Sequence, residues 1–385
     1  MEVNKMKQRV ARVCHVCSGH RADDDRVFDR ECASLAEFGY DVHLLAACDS
    51  SETARVRGVT LHGAPHFATR MARFLGSGVV ARMAAELRAD LYHVHEPQLL
   101  APVIRQARGA PVIWDVHEPY LGYLSASTWL LPPLRALARF AWDKVERRSV
   151  RRCAAVVAAT EWLAPRYREM HERVVVAANF PRLVWQADGD ACEQRHNALV
   201  YTGNLERNRG VLQVLHAMSL LSHRGINVTL DLSGPSEPSF FQELEATVRR
   251  LALEEQVRYH GVLRHCEAIA LQRKCGIGVN TSLPGAGTAF GCPVKMFEFM
   301  LARLPVVYSD LPTFQAVAGS ANAGIAVDPE RPERIAEAIE RLVIDRQLAR
   351  QLGANGRRAV QDCFNWDAES PKLADLYVDL IGAPA

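Results

Sequence analysis

No apolar run in this 385-residue chain approaches the ~18–20 residues that span a bilayer, so an integral membrane protein is not expected. The first ten residues are polar and basic, without an apolar h-region, so no secretory signal is read there. Charge of one sign is missing too. The net charge is only +2, which gives no general argument for nucleic-acid binding. Residues 1–180 carry 25 Lys/Arg against 20 Asp/Glu, and the remainder is slightly acidic. There is no low-complexity tract and no repeat of about 20–50 residues, which excludes solenoids and propellers. The ten cysteines are scattered, and Cys14, Cys153 and Cys275 fall in apparent core segments. That is not a disulfide framework, and it suits a reducing cytosol. Cys14 and Cys17 form a C-x-x-C with His15 and His20 nearby. With no second pair at zinc spacing, the core-strand reading outweighs a metal or redox site.

Several catalytic signatures are absent as well. No Gly-Lys-Ser/Thr ends a loop, so there is no P-loop, and the G-x-G-x-x-A run at Gly76–Ala81 falls inside a helical stretch instead of after a strand. No H-E-x-x-H, nucleophile elbow or acidic cluster at metal spacing is found. Asp23, Asp24 and Asp25 read as a solvated loop.

What is present is an α/β rhythm. Hydrophobic content of 49% and charged content of 23% are those of a globular protein, and the length predicts two domains. Strands are expected at residues 12–16, 41–46, 59–62, 91–94, 111–116, 154–159 and 174–177. Helices alternate with them, from Val27 to a stop at Gly39 and over residues 74–87, 99–107 and 162–170. The strands at 91–94 and 111–116 end in His95-Glu96-Pro97 and His117-Glu118-Pro119. Two such pairs at equivalent edges of a parallel sheet point to a polar cleft.

Residues 130–152 read as a helix rich in base and aromatics, with Arg135, Arg139, Lys144, Arg147, Arg148, Arg151 and Arg152 beside Trp129, Leu130, Leu131, Leu134, Phe140 and Trp142. It could rest on an anionic membrane surface. A helix packed on the sheet with a solvated basic face is favoured, because the cations spread around it. Residues 182–197 are irregular and polar, and the linker is placed there.

The rhythm restarts with strands at 199–201, 228–232, 257–260, 276–279 and 324–327, and helices to His223 and over 241–251, 267–274, 333–342 and 348–360. Phe290 to Val307 reads as a Gly/Pro turn, an amphipathic helix and a buried strand, with Met296, Phe297, Met300 and Leu301 facing inward. Lys295 and Glu298 project from neighbouring positions near that helix's N-terminus. Backbone N–H groups at a helix start, a Lys and a carboxylate suit a phosphate and a vicinal diol. The bland reading is a surface ion pair. Two glycine-rich turns should meet that helix at the sheet edge: Gly203 to Gly210, with Asn204, Arg207 and Arg209, and Pro284 to Gly291, with Gly287 and Thr288. Small residues, Arg and Lys together suit a diphosphate.

These residues carry a family resemblance. DDDRVFDRECASLAEFGYDVHLL, LYHVHEP, PVIWDVHEPY, LVYTGNLERNRG, PVKMFEFMLARLPVV and FNWDAESPKLADLYVDLI stand in order over nearly the whole chain. Together they resemble the GT-B glycosyltransferases, close to glycosyltransferase family 4. The resemblance implies two facing Rossmann-like domains, an acceptor-side one over 1–181 and a donor-side one over 198–365. A C-terminal helix at 366–385 would pack back on the first.

It also implies a retaining, metal-independent hexosyltransferase, with no cofactor beyond a nucleotide-diphosphate sugar as co-substrate. The acceptor would be a glycan or lipid-linked glycan in polysaccharide biosynthesis. The implied setting is cytoplasmic, at most peripheral at the inner membrane surface, with no nucleic-acid partner. On this mapping Glu298 holds the donor ribose, Arg209 contacts the diphosphate and His117 lies at the reacting centre. Gly203, Asn204, Arg207, Gly287, Thr288 and Lys295 complete the donor side. Asp25, His95, Glu96 and Glu118 line the acceptor side. Two departures stand out: Phe290 occupies the place of the family's first paired Glu, and Asn204 that of a frequent Arg. A sugar-nucleotide epimerase or hydrolase, and a non-catalytic sugar-nucleotide-binding protein, are the rival readings.

Overall fold

The computed structural model describes residues 10–48, 53–122, 132–185, 195–285 and 293–384. Two compact units result, one formed by residues 1–179 with 367–385, the other by residues 180–366.

In the first unit, eight strands form one sheet: β1 (Arg12–Arg21), β2 (Asp41–Ala47), β3 (Ala54–Val56), β4 (Val59–Ala64), β5 (Leu91–Val94), β6 (Val112–Val116), β7 (Ala155–Ala158) and β8 (Val174–Val176). Their order is β3-β4-β2-β1-β5-β6-β7-β8. All pairs are parallel except β3–β4, an antiparallel edge that the sequence reading did not anticipate. The chain starts at β1, winds one way through β2, then returns to β5 and winds the other way. The crevice of such a sheet opens beyond the carboxyl ends of the strands where the order reverses, here between β1 and β5.

β1 runs five residues past the expected end, through the segment read as a turn. A partner from far along the chain holds it extended. The Glu96 carboxylate accepts the N–H groups of Ser18, Gly19 and His20 at 2.8, 2.7 and 3.1 Å. Cys14 and Cys17 are both fully buried in β1. Three residues apart in a strand, they face opposite sides of the sheet, and burial pushes the Cys14 thiol up to about 12. Gly76 to Ala81 lies within the helix Arg70–Glu86. That helix is capped by Thr69, which accepts the Ala72 N–H.

The helix Pro132–Val150 departs from expectation in where its apolar residues point. Leu137, Phe140 and Val145 are exposed. Trp129, Leu130 and Leu131 lie outside the described residues. The last helix, Trp366–Ile381, lies in the first unit from Asp367 onward. Its Glu369 accepts the Ala178 N–H at 2.9 Å.

The second unit holds six parallel strands: β9 (Arg195–Thr202), β10 (Thr229–Ser233), β11 (Val257–Tyr259), β12 (Cys275–Asn280), β13 (Val306–Ser309) and β14 (Gly324–Val327). They are ordered β11-β10-β9-β12-β13-β14, so the switch point lies between β9 and β12. β9 shows why its sequence is a continuous apolar run. Leu199 and Tyr201 enter the core on one face, and Ala198 and Val200 that on the other; a parallel strand covered on both sides needs both sets apolar. β9 also begins four residues before the expected start. Arg195 anchors it to buried Asp231 at 2.6 Å, so the expected linker is shorter than 182–197. The rings of Phe180, Phe297 and Phe364 pack with centroids 4.8–5.4 Å apart, which joins the entry and exit of this unit to the helix Val294–Leu301. No helix among the described residues is long and apolar enough to cross a membrane.

Candidate functional site

Polar residues gather at the carboxyl edge of each sheet. In the second unit, β9 ends in Gly203, whose φ of +123° is glycine territory. The turn then closes at Gly210, φ +73°, just before the helix Val211–His223. A Cβ on Gly210 would lie 1.8 Å from the Thr281 carbonyl oxygen beyond β12. The two segments are clamped there, with Thr281 Oγ1 donating to the Gly210 carbonyl at 3.2 Å and the Leu283 N–H to that of Asn208 at 2.8 Å. The N-terminus of an α-helix thus opens at the switch point, with N–H groups that no intrahelical carbonyl takes.

Lys295 reaches the same place. Its Nζ donates to Tyr201 Oη at 2.8 Å and sits 3.9 Å from the centre of that ring. Tyr201 Oη in turn donates to the Asn204 carbonyl at 2.7 Å. Burial, and after it the charge of Arg209, push the Lys295 ammonium down to about 7. Arg209 pairs with Glu206 at 3.4 Å, and its Nε is buried without a hydrogen bond among the described residues. Lys295 thus stands against the end of β9, and Arg209 one residue before the Gly210 turn. Arg207 does not join them; it is exposed and paired with Glu243.

Glu298 is buried in the second turn of its helix. Its oxygens accept from His265 Nε2 at 2.9 Å and Gln272 Nε2 at 3.2 Å, and Gln272 also donates to Thr202 Oγ1 at 2.9 Å. The alternative reading, a surface ion pair of Lys295 with Glu298, is not seen among the described residues; Lys295 bonds Tyr201, and Glu298 takes His265 and Gln272. Tyr201, His265 and Gln272 escaped the sequence reading. Tyr201 looked like a core position, and His265 and Gln272 belong to a helix with no motif. Trp185, whose ring meets His265 at 4.2 Å between centroids, had no signal at all. Gly287, Thr288 and Phe290 lie outside the described residues.

In the first unit the residues ending β1, β5 and β6 meet. His117 Nε2 lies 3.3 Å from Asp115 Oδ2 and 3.3 Å from His95 Nδ1. Both Asp115 oxygens accept from Arg26 Nη2 at 3.0 Å. Burial alone would raise the Asp115 carboxyl; Arg26 and His117 hold it well below its usual range. Beside His117, the His20 ring stands edge-on at 5.1 Å. Burial would lower His20, but Asp24, bonded at 2.9 Å, carries it up to about 9. Asp24 also caps the following π-helical turn through the N–H groups of Arg26 and Val27.

Of the residues expected on an acceptor-side cleft, His95 is fully buried and Glu96 is buried with its carboxylate in the β1 backbone. Neither presents a free face. His95 lies beneath His117, and Glu96 shapes the loop above it. Burying the Glu96 carboxylate requires donors, and the loop supplies three. Asp25 opens the π-helical turn, half-buried, and Glu118 is exposed.

Residues 6–179 match the family model described as Glycosyl transferase 4-like domain, and residues 191–359 match Glycosyl transferases group 1. The alpha-D-kanosaminyltransferase of Streptomyces kanamyceticus is 23% identical over 329 residues, 81% of this chain and 79% of that protein. Among solved structures, a sucrose-phosphate synthase from Thermosynechococcus elongatus superposes with a TM-score of 0.77 at 18% identity, covering 97% of this chain and 99% of the other. The structure of Anabaena Alr3699/HepE in complex with UDP and glucose superposes with a TM-score of 0.68 at 15% identity, covering 97% and 100%.

Proposed function

The chain belongs to the GT-B glycosyltransferases of the family-4 type, and from that premise we propose that it transfers a sugar, with retention and without a catalytic metal, from a nucleotide-diphosphate sugar to a glycan or lipid-linked acceptor. The observation that carries the donor half is buried Lys295 lying against Tyr201 at the end of β9, with Arg209 directly before Gly210 and the opening of the helix Val211–His223. Two cations at a helix opening, Arg209 with Glu206 at 3.4 Å and Lys295 bonded only to a neutral phenol among the described residues, suit a diphosphate.

In this mechanism Arg209, Lys295 and the helix N–H groups stabilise the leaving diphosphate, whose charge grows in the transition state. Glu298, oriented by His265 and Gln272, takes the ribose diol. His117, held by Asp115 and His95, is assigned to the reacting centre. The departing phosphate assists the incoming hydroxyl through an oxocarbenium-like state. A nucleoside diphosphate in the Anabaena neighbour supports the choice of donor class.

A lipid-linked acceptor is supported by the helix Pro132–Val150. Its two acids, Asp143 and Glu146, both pair with Arg166, and Asp143 also with Arg147. Arg139, Lys144 and Arg148 remain beside exposed Leu137, Phe140 and Val145, a composition that favours peripheral contact with an anionic surface.

Thermal unfolding with UDP-, GDP- and ADP-sugars tests the donor. A matching ligand at 100 times its Kd stabilises by about 2.7 kcal/mol. The linkage in a transfer product, read by NMR with and without chelator, then tests retention and metal independence. Donor cleavage in the presence of acceptors but with no glycosidic product would sink the transferase mechanism and leave the hydrolase reading.

A further inference from the structure

Behind His117, in the interior of the first unit, four fully buried residues converge: His15, Glu31, His93 and His95. One ligand atom from each lies within 4.8 Å of all the others. Their placement follows from the sheet. His15 and His93 are register partners on β1 and β5, and His95, two residues on, points to the same face. Glu31 comes from the π-helical turn Asp25–Cys32.

Three of the donor atoms make a triangle. His15 Nδ1 is 2.9 Å from His95 Nε2, His15 Nδ1 is 3.8 Å from Glu31 Oε2, and His95 Nε2 is 3.9 Å from Glu31 Oε2. In a tetrahedral zinc site with ordinary bond lengths, neighbouring donors stand about 3.3 Å apart, between these values. The far atom of each donor is held from behind. His15 Nε2 meets Tyr377 Oη at 3.2 Å. His95 Nδ1 meets His117 Nε2 at 3.3 Å. Glu31 Oε1 meets Arg26 Nε at 3.0 Å. Outer partners of this kind fix the tautomer and aim of metal-binding histidines. His93 follows the pattern: its Nδ1 bonds Tyr377 Oη at 2.7 Å, and its buried Nε2, 3.8 Å from Asp115 Oδ2, has no hydrogen bond among the described residues.

We propose that His15, His93, His95 and Glu31 bind one structural transition-metal ion, zinc by preference, inside the first unit. Three imidazoles and a carboxylate match zinc in ligand type and number, and four protein ligands leave no open position for a substrate. The ion is therefore a staple of the fold, set behind His117, and is not proposed to touch the donor. Because the ligands come from β1, β5 and the turn between β1 and β2, and Tyr377 from the last helix, the ion would join segments more than 350 residues apart in sequence.

The test is elemental analysis of the full-length protein, expressed with zinc in the medium and purified without chelator. About one equivalent per chain is expected, bound tightly enough to survive gel filtration because site formation is coupled to folding. Refolding with Co(II) should give the visible ligand-field absorption of a four-coordinate ion, and refolding with chelator should lower Tm. Glu31→Gln and His93→Gln should each lose most of the metal. His62→Gln, in the separate stacked pair His43–His62, should keep it. Wild-type protein with only trace metal and no cobalt spectrum would overturn the proposal and leave a hydrogen-bonded histidine stack. Full metal content in folded Glu31→Gln and His93→Gln, or its loss in His62→Gln, would overturn it too. If those two variants do not fold, the wild-type metal content and cobalt spectrum still decide.

Discussion

The two sheet edges solve the same problem, polar groups at a strand end, in opposite ways. In the first unit the charges are answered from within: Asp115 by Arg26, Glu96 by three backbone N–H groups, Asp24 by His20. In the second unit Lys295 rests on the neutral Tyr201 hydroxyl, and Arg209, 3.4 Å from Glu206, makes no hydrogen bond through Nε among the described residues. The first edge is a finished scaffold. On the proposed function, the donor's diphosphate completes the second. Preorganisation lowers the cost of holding a side chain such as His117 in one pose, whereas a buried cation resting on a neutral partner favours a ligand of opposite sign.

Removing a cation at the second edge should therefore act on turnover, and removing a charge at the first on stability. The largest effect is expected for Lys295→Ala or Arg209→Ala, each lowering kcat by on the order of 100- to 1000-fold with little change in Tm. Steady-state kinetics on the identified donor would check this, and a loss of less than tenfold in both would remove the diphosphate clamp. Gly210→Ala should cost about 3 kcal/mol, since it demands a left-handed Ala and collides with the Thr281 carbonyl. Urea unfolding measures it. Glu96→Gln should cost about 2 kcal/mol, because three N–H groups lose a charged acceptor. Equal stability with wild type in the same assay would show that the β1 extension does not depend on that carboxylate.

A smaller effect concerns protons. The Lys295 ammonium is lowered to about 7 without ligand, and a bound diphosphate should raise it. The complex then holds more protons than the free enzyme, so nucleoside-diphosphate affinity is full below about pH 7 and falls as pH rises above it. Calorimetry at pH 8 in buffers of different ionisation enthalpy should show proton uptake, and Lys295→Met should abolish it. Release of protons instead would contradict the arrangement. Smallest of all is Arg207→Ala, exposed and paired only with Glu243 at the surface; kcat/KM should change by less than about threefold.

The helix at 294–301 was readable because its apolar residues recur at 3.6 spacing and its Pro-led start is a local signal. The His-Glu-Pro triplets were readable as strand ends for the same reason. Their roles were not. Glu96 looked like a cleft residue because strand ends usually face a cleft, and only the N–H groups of residues 18–20, almost eighty positions earlier, show where its charge went. Phe140 looked like part of a packing face because apolar residues on a long helix usually pack inward. Exposure depends on what the neighbouring layer covers, and the helix's own sequence does not specify that.

The sequence by itself determined the strand and helix order, the parallel sheets and the residue types at their carboxyl edges. Those follow from periodicity, turn chemistry and burial on two faces, all local or nearly so. The tertiary structure alone decided that Lys295 lies against Tyr201 and beside Arg209, that Glu298 is steered by His265 and Gln272, and that four buried ligands meet behind His117. The physical reason is that desolvation and charge coupling are set by which distant segments exclude water from a group, and no window of sequence contains them.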